Sequence, residues 1–334
     1  MSKEHKFTVD ELQESITYLH RLKEKYEDIG QDFIDYLEGL VQSNGLSYWH
    51  YIGLNSLLGL QVPRTNHPDE MIFIIYHQIS ELYFKLIKHE IAQLTDPENK
   101  EYQDVEKWHL RLSRVVNYFR HVCNSFDLMY SGMDLEQFRK FRMALLPASG
   151  FQSVQFRHIE IMSTNLNSLL QKEFRDMQDV PLEKLYEHIY WKAGGIETAS
   201  GNKTLTLQQF EEKYDDELKQ WIKTYQFHNI NYLYFCADKS IKEDEKVIHL
   251  LREYDTFINV HWRLSHLSAS SRYLAKADEG TGGTNWKQYL PPKFQKLFFF
   301  ESLWTEEEKD DWGKAAMIKF FQTEIKSQWN KRVE

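Results

Sequence analysis

The 334-residue sequence predicts an all-α protein, and three observations support that prediction. Apolar residues recur at spacings of three and four over several long stretches, which is the pattern of amphipathic helices. Helix-start motifs precede some of these stretches, and no stretch shows the sustained apolar–polar alternation of a strand. We therefore predict one helical domain, residues 47–334, preceded by a helical N-terminal extension, residues 1–46.

The N-terminal extension opens with the capping box Thr8-Val9-Asp10-Glu11, which predicts a helix start. The apolar residues that follow form one stripe, with Gly30 as a candidate interruption. The stripe consists of Leu12, Ile16, Leu19, Leu22, Tyr26, Ile29, Phe33, Leu37 and Leu40. So regular a stripe needs a partner, either the body of the domain or another subunit.

Further helices are predicted along the rest of the chain. Pro68 suits the first turn of a helix that runs to about Leu94, and Asp69 beside it favours the positive end of the helix dipole. The capping box Thr305-x-x-Glu308 predicts a last helix. Apolar periodicity predicts other helices over residues 103–127, 134–146, 205–225 and 243–276.

Composition and charge argue against several classes of protein. The formal net charge is −9, and lysines and arginines alternate with acids, which is unlike a nucleic-acid-binding surface. The mean hydropathy is −0.61, and no run of 18 apolar residues predicts a membrane span. Residues 1–6 carry no apolar signal segment, and Cys123 and Cys236 are far apart, as in a reducing compartment. We expect a cytoplasmic protein without nucleic-acid or membrane partners.

Two histidines are candidates for chemistry, although each is ambiguous alone. His77 lies among apolar residues, one helical turn after Phe73, so the two share a helix face. His266 lies in the middle of a predicted helix among apolar residues. A single neutral imidazole can hold haem iron, but a buried histidine is more often an ordinary core residue.

An arginine and a glycine-rich segment are further candidates. Arg142 lies one turn after Phe138, and its planar guanidinium can bind a carboxylate through two parallel hydrogen bonds. An ordinary surface arginine is the simpler interpretation. The segment Gly280-Thr281-Gly282-Gly283 can form an anion-binding nest, a lid or a plain loop. The chain has no HExxH or GxSxG motif, so difficult chemistry would have to come from a cofactor.

Together and in this order, these segments resemble the tryptophan 2,3-dioxygenase family over about residues 47–300. The family's motifs are specific in combination rather than singly. The stretches that carry the resemblance are Tyr48-Trp49-His50-Tyr51-Ile52-Gly53-Leu54, Asp69-Glu70-Met71-Ile72-Phe73-Ile74-Ile75-Tyr76-His77-Gln78, Phe138 with Phe141-Arg142, Pro147-Ala148-Ser149-Gly150-Phe151-Gln152-Ser153, and Trp262-Arg263 with His266 and the glycine-rich segment.

The resemblance implies an oxygenase that cleaves the indole C2–C3 bond of L-tryptophan with O₂. The product would be N-formyl-L-kynurenine, in the kynurenine pathway of tryptophan catabolism. The cofactor would be haem b (heme b, iron protoporphyrin IX), ferrous in the active form, with His266 as its axial ligand. The chain would form a homotetramer, a dimer of dimers with intertwined N-terminal parts.

The resemblance also implies roles for other residues. His77 would accept a hydrogen bond from the indole N–H, and Phe73 would pack against both the indole and the haem. Arg142 would bind the substrate carboxylate, and Thr281 would contact the amino-acid head group. The remaining pocket residues would be Phe138 and Ser149 at the pocket or haem edge, and Tyr48 and Tyr51 from a neighbouring subunit.

Two positions depart from the family pattern, namely Tyr76 beside His77 and Trp286 after the glycine-rich segment. They keep open a haem-dependent monooxygenase that acts on the same indole with one oxygen atom. The sequence also leaves open a non-catalytic sensor of haem or tryptophan, and a helical scaffold without a cofactor. The number of oxygen atoms in the product separates the dioxygenase from the monooxygenase.

Overall fold

The computed structural model of the chain describes residues 8–197, 200–274, 291–319 and residue 322. Within these ranges the regular structure is helical, and extended pairing is limited to two isolated bridges. The prediction of an all-α protein is confirmed. Backbone contacts divide the chain into two compact units, Met1–Leu60 and Gln61–Glu334, so the predicted extension of residues 1–46 falls within the first unit.

From residue 8 onward, where the structure describes it, the first unit contains two helices and two short helical turns. The capping box is confirmed, because the Thr8 hydroxyl accepts from the Glu11 N–H and the Glu11 carboxylate accepts from the Thr8 N–H. Gly30 adopts a φ of +72° and ends the first helix, so the predicted stripe spans two helices. The helices are α1 (Val9–Glu27), α2 (Phe33–Gln42), α3 (Tyr48–Tyr51) and α4 (Leu54–Leu58), and none of their residues is buried.

The second unit is built around two long helices, α5 (Asp69–Thr95) and α6 (Val105–Tyr130). Fully buried residues recur at helical spacing on both, such as Ile87 and Ile91 on α5 and Leu112 on α6. The other helices in the described part of this unit include α7 (Leu135–Phe141), α8 (Val154–Ser163), α9 (Leu182–Glu187), α10 (Tyr190–Gly194), α11 (Leu205–Tyr225), α12 (Ile230–Cys236), α13 (Lys239–Lys242), α14 (Glu245–Thr256), α15 (Trp262–Leu274), α16 (Pro292–Gln295) and α17 (Glu306–Asp310).

Residues 243–276, predicted as one helix, are interrupted within their described part. Phe257–His261 form a π-helical turn between α14 and α15. The extra residue of such a turn rotates the helix that follows relative to the one before it. Sequence periodicity did not reveal this turn, because it changes the pattern by a single residue. It lies one turn before His266 and so helps to set the direction in which that side chain points.

Two smaller predictions have clear outcomes. The predicted helix over residues 134–146 begins as expected, since the Asp134 carboxylate accepts from the Gln137 N–H, but it tightens into a 3₁₀ turn at Arg142. The Thr305 and Glu308 capping box is confirmed at the start of α17. None of the helices in the described part of the chain combines the length and apolar character that a membrane span requires.

Candidate active site

The helix α5 places Phe73 and His77 on one face, as their spacing predicted. The rings of Phe73 and His77 lie with their centroids 4.2 Å apart, as expected for positions four residues apart on one helix. Tyr76 meets the His77 ring edge-on at 5.1 Å and is itself buried. Burial raises the pKa of the Tyr76 hydroxyl, so this side chain stays neutral beside the histidine.

The tautomer of His77 follows from a single hydrogen bond. Its Nδ1 lies 2.7 Å from the backbone carbonyl oxygen of Phe73. Because a carbonyl oxygen only accepts, Nδ1 must carry the proton, and Nε2 is left with a lone pair. Burial lowers the pKa of His77, which favours this neutral form. The site therefore offers a hydrogen-bond acceptor at Nε2.

The helix α7 adds an aromatic wall beside Phe73. The ring centroid of Phe73 lies 6.3 Å from that of Phe138 and 6.0 Å from that of Phe141, and the latter two rings meet edge-on at 5.4 Å. Phe138 also contacts Tyr273 of α15 at 4.7 Å. Aromatic faces in a dry setting are suited to an indole or a porphyrin, since both are flat and apolar.

The starts of α5 and α7 are held together by polar contacts. The Asp134 N–H donates to the Asp69 carboxylate at 2.6 Å, and the Asp69 N–H donates to the Gln137 side-chain oxygen at 3.1 Å. These bonds fix the aromatic residues of the two helices in register. Asp69, the acid predicted to favour the helix dipole at the start of α5, therefore also links α5 to α7.

Arg142 and Ser149 flank the segment that follows α7. Arg142 is half-buried at the first position of the 3₁₀ turn, directly after the buried Phe141. Ser149 is half-buried and caps a second short turn, where its hydroxyl accepts from the Phe151 N–H at 3.3 Å. The Ser149 N–H in turn donates to the side chain of Gln152 at 3.3 Å. Ser149 is thus held in place by its own turn.

The helix α15 supplies the second histidine. The His266 ring lies 5.8 Å from the ring of Phe126 on α6 and 5.6 Å from that of Trp262. Its Nδ1 lies 3.3 Å from the hydroxyl of Ser270, one turn further along the helix. Burial lowers the pKa of His266 to about 4, and the charge of a protonated His77 contributes to that shift. A positive charge on His77 would therefore disfavour protonation of His266.

Aromatic rings also connect the two histidines. Tyr76 contacts Phe126 at 5.4 Å, and Phe126 in turn contacts His266. The ring cluster thus joins α5, α6 and α15 around one region of the second unit. The buried side chains of this cluster include Tyr76, Phe126, Met129, Met133, Phe138, Phe141, Leu264, Leu267 and Tyr273.

The donor set of this region fits a haem. Across residues 8–197, 200–274 and 291–319, no group of three or more His, Cys, Asp or Glu side chains is arranged to hold a metal ion. Haem needs no such group, since its porphyrin supplies four nitrogens and the protein adds one axial ligand. His266 is neutral, and its Nδ1 is already engaged by Ser270, which leaves Nε2 available. Aromatic side chains surround it.

Three predicted site residues, Tyr48, Tyr51 and Thr281, are not part of the geometry described above, and neither is Trp286. Tyr48 and Tyr51 lie in the first unit, where 69% and 81% of their surface is exposed. Thr281 and Trp286 lie outside the described residues. The roles predicted for Tyr48, Tyr51 and Thr281 therefore stay predictions, as do the ligand-binding roles of the residues described above.

The structure adds residues that sequence analysis did not assign to the site. Phe126 lies within the predicted helix of residues 103–127 but was not singled out, and neither were Ser270 and Tyr273. The spacing of Ser270, four residues after His266, is a signal that sequence analysis could have used. Nothing local to Phe126 or Tyr273 indicates their contacts, because those depend on how distant helices pack.

Comparison with known proteins agrees with this geometry. The family model described as tryptophan 2,3-dioxygenase matches residues 38–222, a range that contains Phe73, His77, Phe138 and Arg142 and ends before His266. The tryptophan 2,3-dioxygenase of Pseudomonas fluorescens is 29% identical over 303 residues, covering 86% of this chain and 96% of the relative. That of Bradyrhizobium diazoefficiens is 27% identical over 274 residues, covering 78% and 92%.

The match spans more than half of this chain, and the relatives align over most of their own length. The aromatic pair on α5 and the arginine after α7 lie within the matched range. The chain therefore belongs to the tryptophan 2,3-dioxygenase family.

Proposed function

We propose that this chain cleaves the indole C2–C3 bond of L-tryptophan with O₂ and is a haem-dependent dioxygenase. Both oxygen atoms enter the product, N-formyl-L-kynurenine, so the reaction needs no external reductant. The enzyme serves the kynurenine pathway of tryptophan catabolism. The observation that carries the proposal is the placement of two imidazoles of lowered pKa, His77 and His266, against one aromatic cluster in a chain of this family.

His266 would hold haem b, with Nε2 as the ligating atom. When bound, the haem in its ferrous form supplies the binding and activation of O₂. Phe73 and Phe138 would offer flat apolar surfaces to the porphyrin and the indole, and Ser149 would lie at the pocket or the haem edge. The electron-rich indole needs no strong base, which is consistent with a distal histidine of lowered pKa.

The substrate is oriented by two groups of opposite character. The Nε2 of His77 accepts a hydrogen bond from the indole N–H, because its Nδ1 proton is already donated to Phe73. The guanidinium of Arg142 pairs with the substrate carboxylate and fixes where the indole points. Thr281 contacts the amino-acid head group, and Tyr48 and Tyr51 reach the site from a neighbouring subunit.

The assembly that we propose is a homotetramer in the cytoplasm. Its support is the apolar stripe of α1, where Leu12, Ile16 and Leu19 are exposed within the first unit. An exposed stripe of this regularity is typical of a helix that packs against another chain. The partners of the enzyme are then L-tryptophan, O₂ and other copies of itself.

The proposal is tested with ferrous, haem-loaded protein, L-tryptophan and ¹⁸O₂. We expect a product that carries two ¹⁸O atoms, identified by mass spectrometry. A product with one added oxygen would indicate the monooxygenase, and haem binding without turnover would indicate a sensor.

The axial ligand is tested separately by His266→Ala. We expect this variant to lose stably bound haem, measured as the Soret absorbance after gel filtration. The matched control is His249→Ala, since His249 is an exposed histidine on α14. Full Soret absorbance in His266→Ala would contradict the assignment of the ligand.

A further inference from the structure

The helix α15 carries a hydroxyl in an uncommon arrangement, one turn after the proposed haem ligand. Ser270 places its Oγ 3.3 Å from Nδ1 of His266. Serine hydroxyls inside helices usually donate to a backbone carbonyl of the preceding turn. In this chain, Ser80, Ser163 and Ser271 do so, at 3.0, 2.6 and 2.8 Å.

We infer that Ser270 is a positioning residue that accepts the Nδ1 proton of His266, directs Nε2 toward the haem iron and adjusts its donor strength. This inference rests on the proposed function, since it assumes haem at His266. The family resemblance assigns no role to Ser270, so the part of this residue is inferred from its contact with His266 in the structure.

The donor and acceptor roles follow from the valence of the ring. An imidazole that ligates iron through Nε2 keeps its proton on Nδ1, so Nδ1 donates and the serine oxygen accepts. Among the residues that the structure describes, the other rings in contact with His266 are those of Phe126 and Trp262, and neither accepts a hydrogen bond from Nδ1–H in the ring plane. The hydroxyl therefore determines which edge of the ring faces away from the helix.

The hydrogen bond also affects the iron. Donating the Nδ1 proton shifts electron density onto the ring, which makes Nε2 a stronger ligand. A stronger donor stabilises ferric iron more than ferrous iron and lowers the reduction potential. A neutral hydroxyl does so less than a carboxylate would, so the ferrous form remains accessible.

The direct test is Ser270→Ala in the haem-loaded, full-length protein. We expect a higher midpoint potential of the ferric–ferrous couple and a lower Fe–His stretching frequency in the resonance Raman spectrum of the ferrous form. Loss of a hydrogen bond whose free energy lies at the upper end of the usual range should change the ratio of ferric to ferrous protein, at a fixed potential, about tenfold. That ratio corresponds to a rise of about 59 mV for one electron. Haem transfer to apomyoglobin should accelerate about tenfold or more.

Two comparisons separate this role from a general effect on folding. Ser271→Ala is the matched control, because Ser271 lies on the same helix and bonds to its own backbone. Ser270→Thr and Ser270→Val have nearly the same shape, but only threonine keeps a hydroxyl. We expect threonine to retain the potential and the Fe–His frequency of the parent protein, and valine to shift both as alanine does.

The outcomes distinguish this inference from the proposed function. Equal potentials and Fe–His frequencies in the parent, Ser270→Ala and Ser271→Ala would overturn the role of Ser270 and leave the haem assignment intact. Identical behaviour of the threonine and valine variants would overturn it as well. A parent protein that takes up no haem, or that keeps full haem binding after His266→Ala, would overturn both proposals.

Discussion

At the scale of single residues, the chemistry of His77 depends on its environment more than on its identity. A carbonyl oxygen holds the Nδ1 proton, and burial lowers the pKa of the ring. Both effects favour a neutral imidazole with a lone pair at Nε2. Protonation would convert that acceptor into a donor, which an indole N–H cannot use.

The pH dependence of turnover should report this environment. An unperturbed histidine is half-protonated at about pH 6.5. Because the pKa of His77 is lowered, the neutral form persists below that pH, and we expect kcat/KM for L-tryptophan to stay level through it and to decline only in more acidic solution. The control is His77→Gln, whose amide oxygen can accept but does not titrate. A decline centred at about 6.5 that this variant removes would contradict the assignment.

The role of Arg142 leads to a prediction about substrate binding. Arg142→Ala should raise KM for L-tryptophan by roughly 30- to 900-fold, which corresponds to about 2–4 kcal/mol for loss of one partner from a buried charge pair. Tryptamine, which lacks the carboxylate, should be affected much less. Arg139→Ala is the control, since Arg139 is exposed on α7. An unchanged KM in Arg142→Ala would remove this residue from the site.

At the scale of elements, the π-helical turn before α15 is supported by a buried carboxylate. Asp255 is fully buried and accepts from the Asn259 amide at 2.7 Å, within the turn itself. It also accepts from the backbone N–H groups of Phe299 and Phe300 and from Nε1 of Trp304. One carboxylate thus links the helix leading to His266 with the chain segment that precedes α17.

This carboxylate should make stability depend on pH in a defined direction. Burial raises the pKa of Asp255 from 3.8 to about 6. A pKa that is higher in the folded state contributes stability that is fully present below pH 3.8 and is lost as the pH rises through about 6. We therefore expect Asp255→Asn to lower the free energy of unfolding more at about pH 5 than at about pH 7, measured by urea denaturation.

The control for this prediction is Asp238→Asn, an exposed aspartate near α13. It should change the free energy of unfolding little at either pH. An equal loss at both pH values in Asp255→Asn would indicate that the hydrogen-bond geometry, rather than the protonation of the carboxyl group, governs stability there. At either pH, Asp255→Asn should also lower the free energy of unfolding by about 1–3 kcal/mol, because the amide NH₂ of asparagine would face N–H donors and some hydrogen bonds would be lost.

At the scale of the whole molecule, the two units differ in how their apolar residues are placed. The second unit encloses an extensive core, whereas α1 to α4 bury none of their residues. The first unit therefore has little internal packing to stabilise it. Association with other copies of the chain would supply the missing contacts.

A charge placed on the stripe of α1 should disrupt that association. Ile16 is 46% exposed at the centre of the stripe, so we expect Ile16→Glu to shift the protein from a tetramer to smaller species. Light scattering coupled to gel filtration measures the mass. Arg21→Glu, on another face of the same helix, should leave the mass unchanged. A tetramer in both variants would contradict a role for the stripe in assembly.

Several features of this protein follow from local sequence. The all-α class, the capping boxes and the shared face of Phe73 and His77 are consequences of spacing, because residues four apart on a helix must lie together. The break at Gly30 was also indicated by residue type, since glycine readily adopts positive φ.

Other features depend on how the helices pack in three dimensions. The contact of His266 with Phe126 and the hydrogen bonds of Asp255 join segments that are far apart in sequence. The π-helical turn differs from a regular helix by a single residue. No local pattern encodes such contacts, because they arise from how helices pack and which polar groups are buried with them. Local patterns therefore identified the candidate residues, whereas packing created the buried environment that makes His77 and His266 neutral.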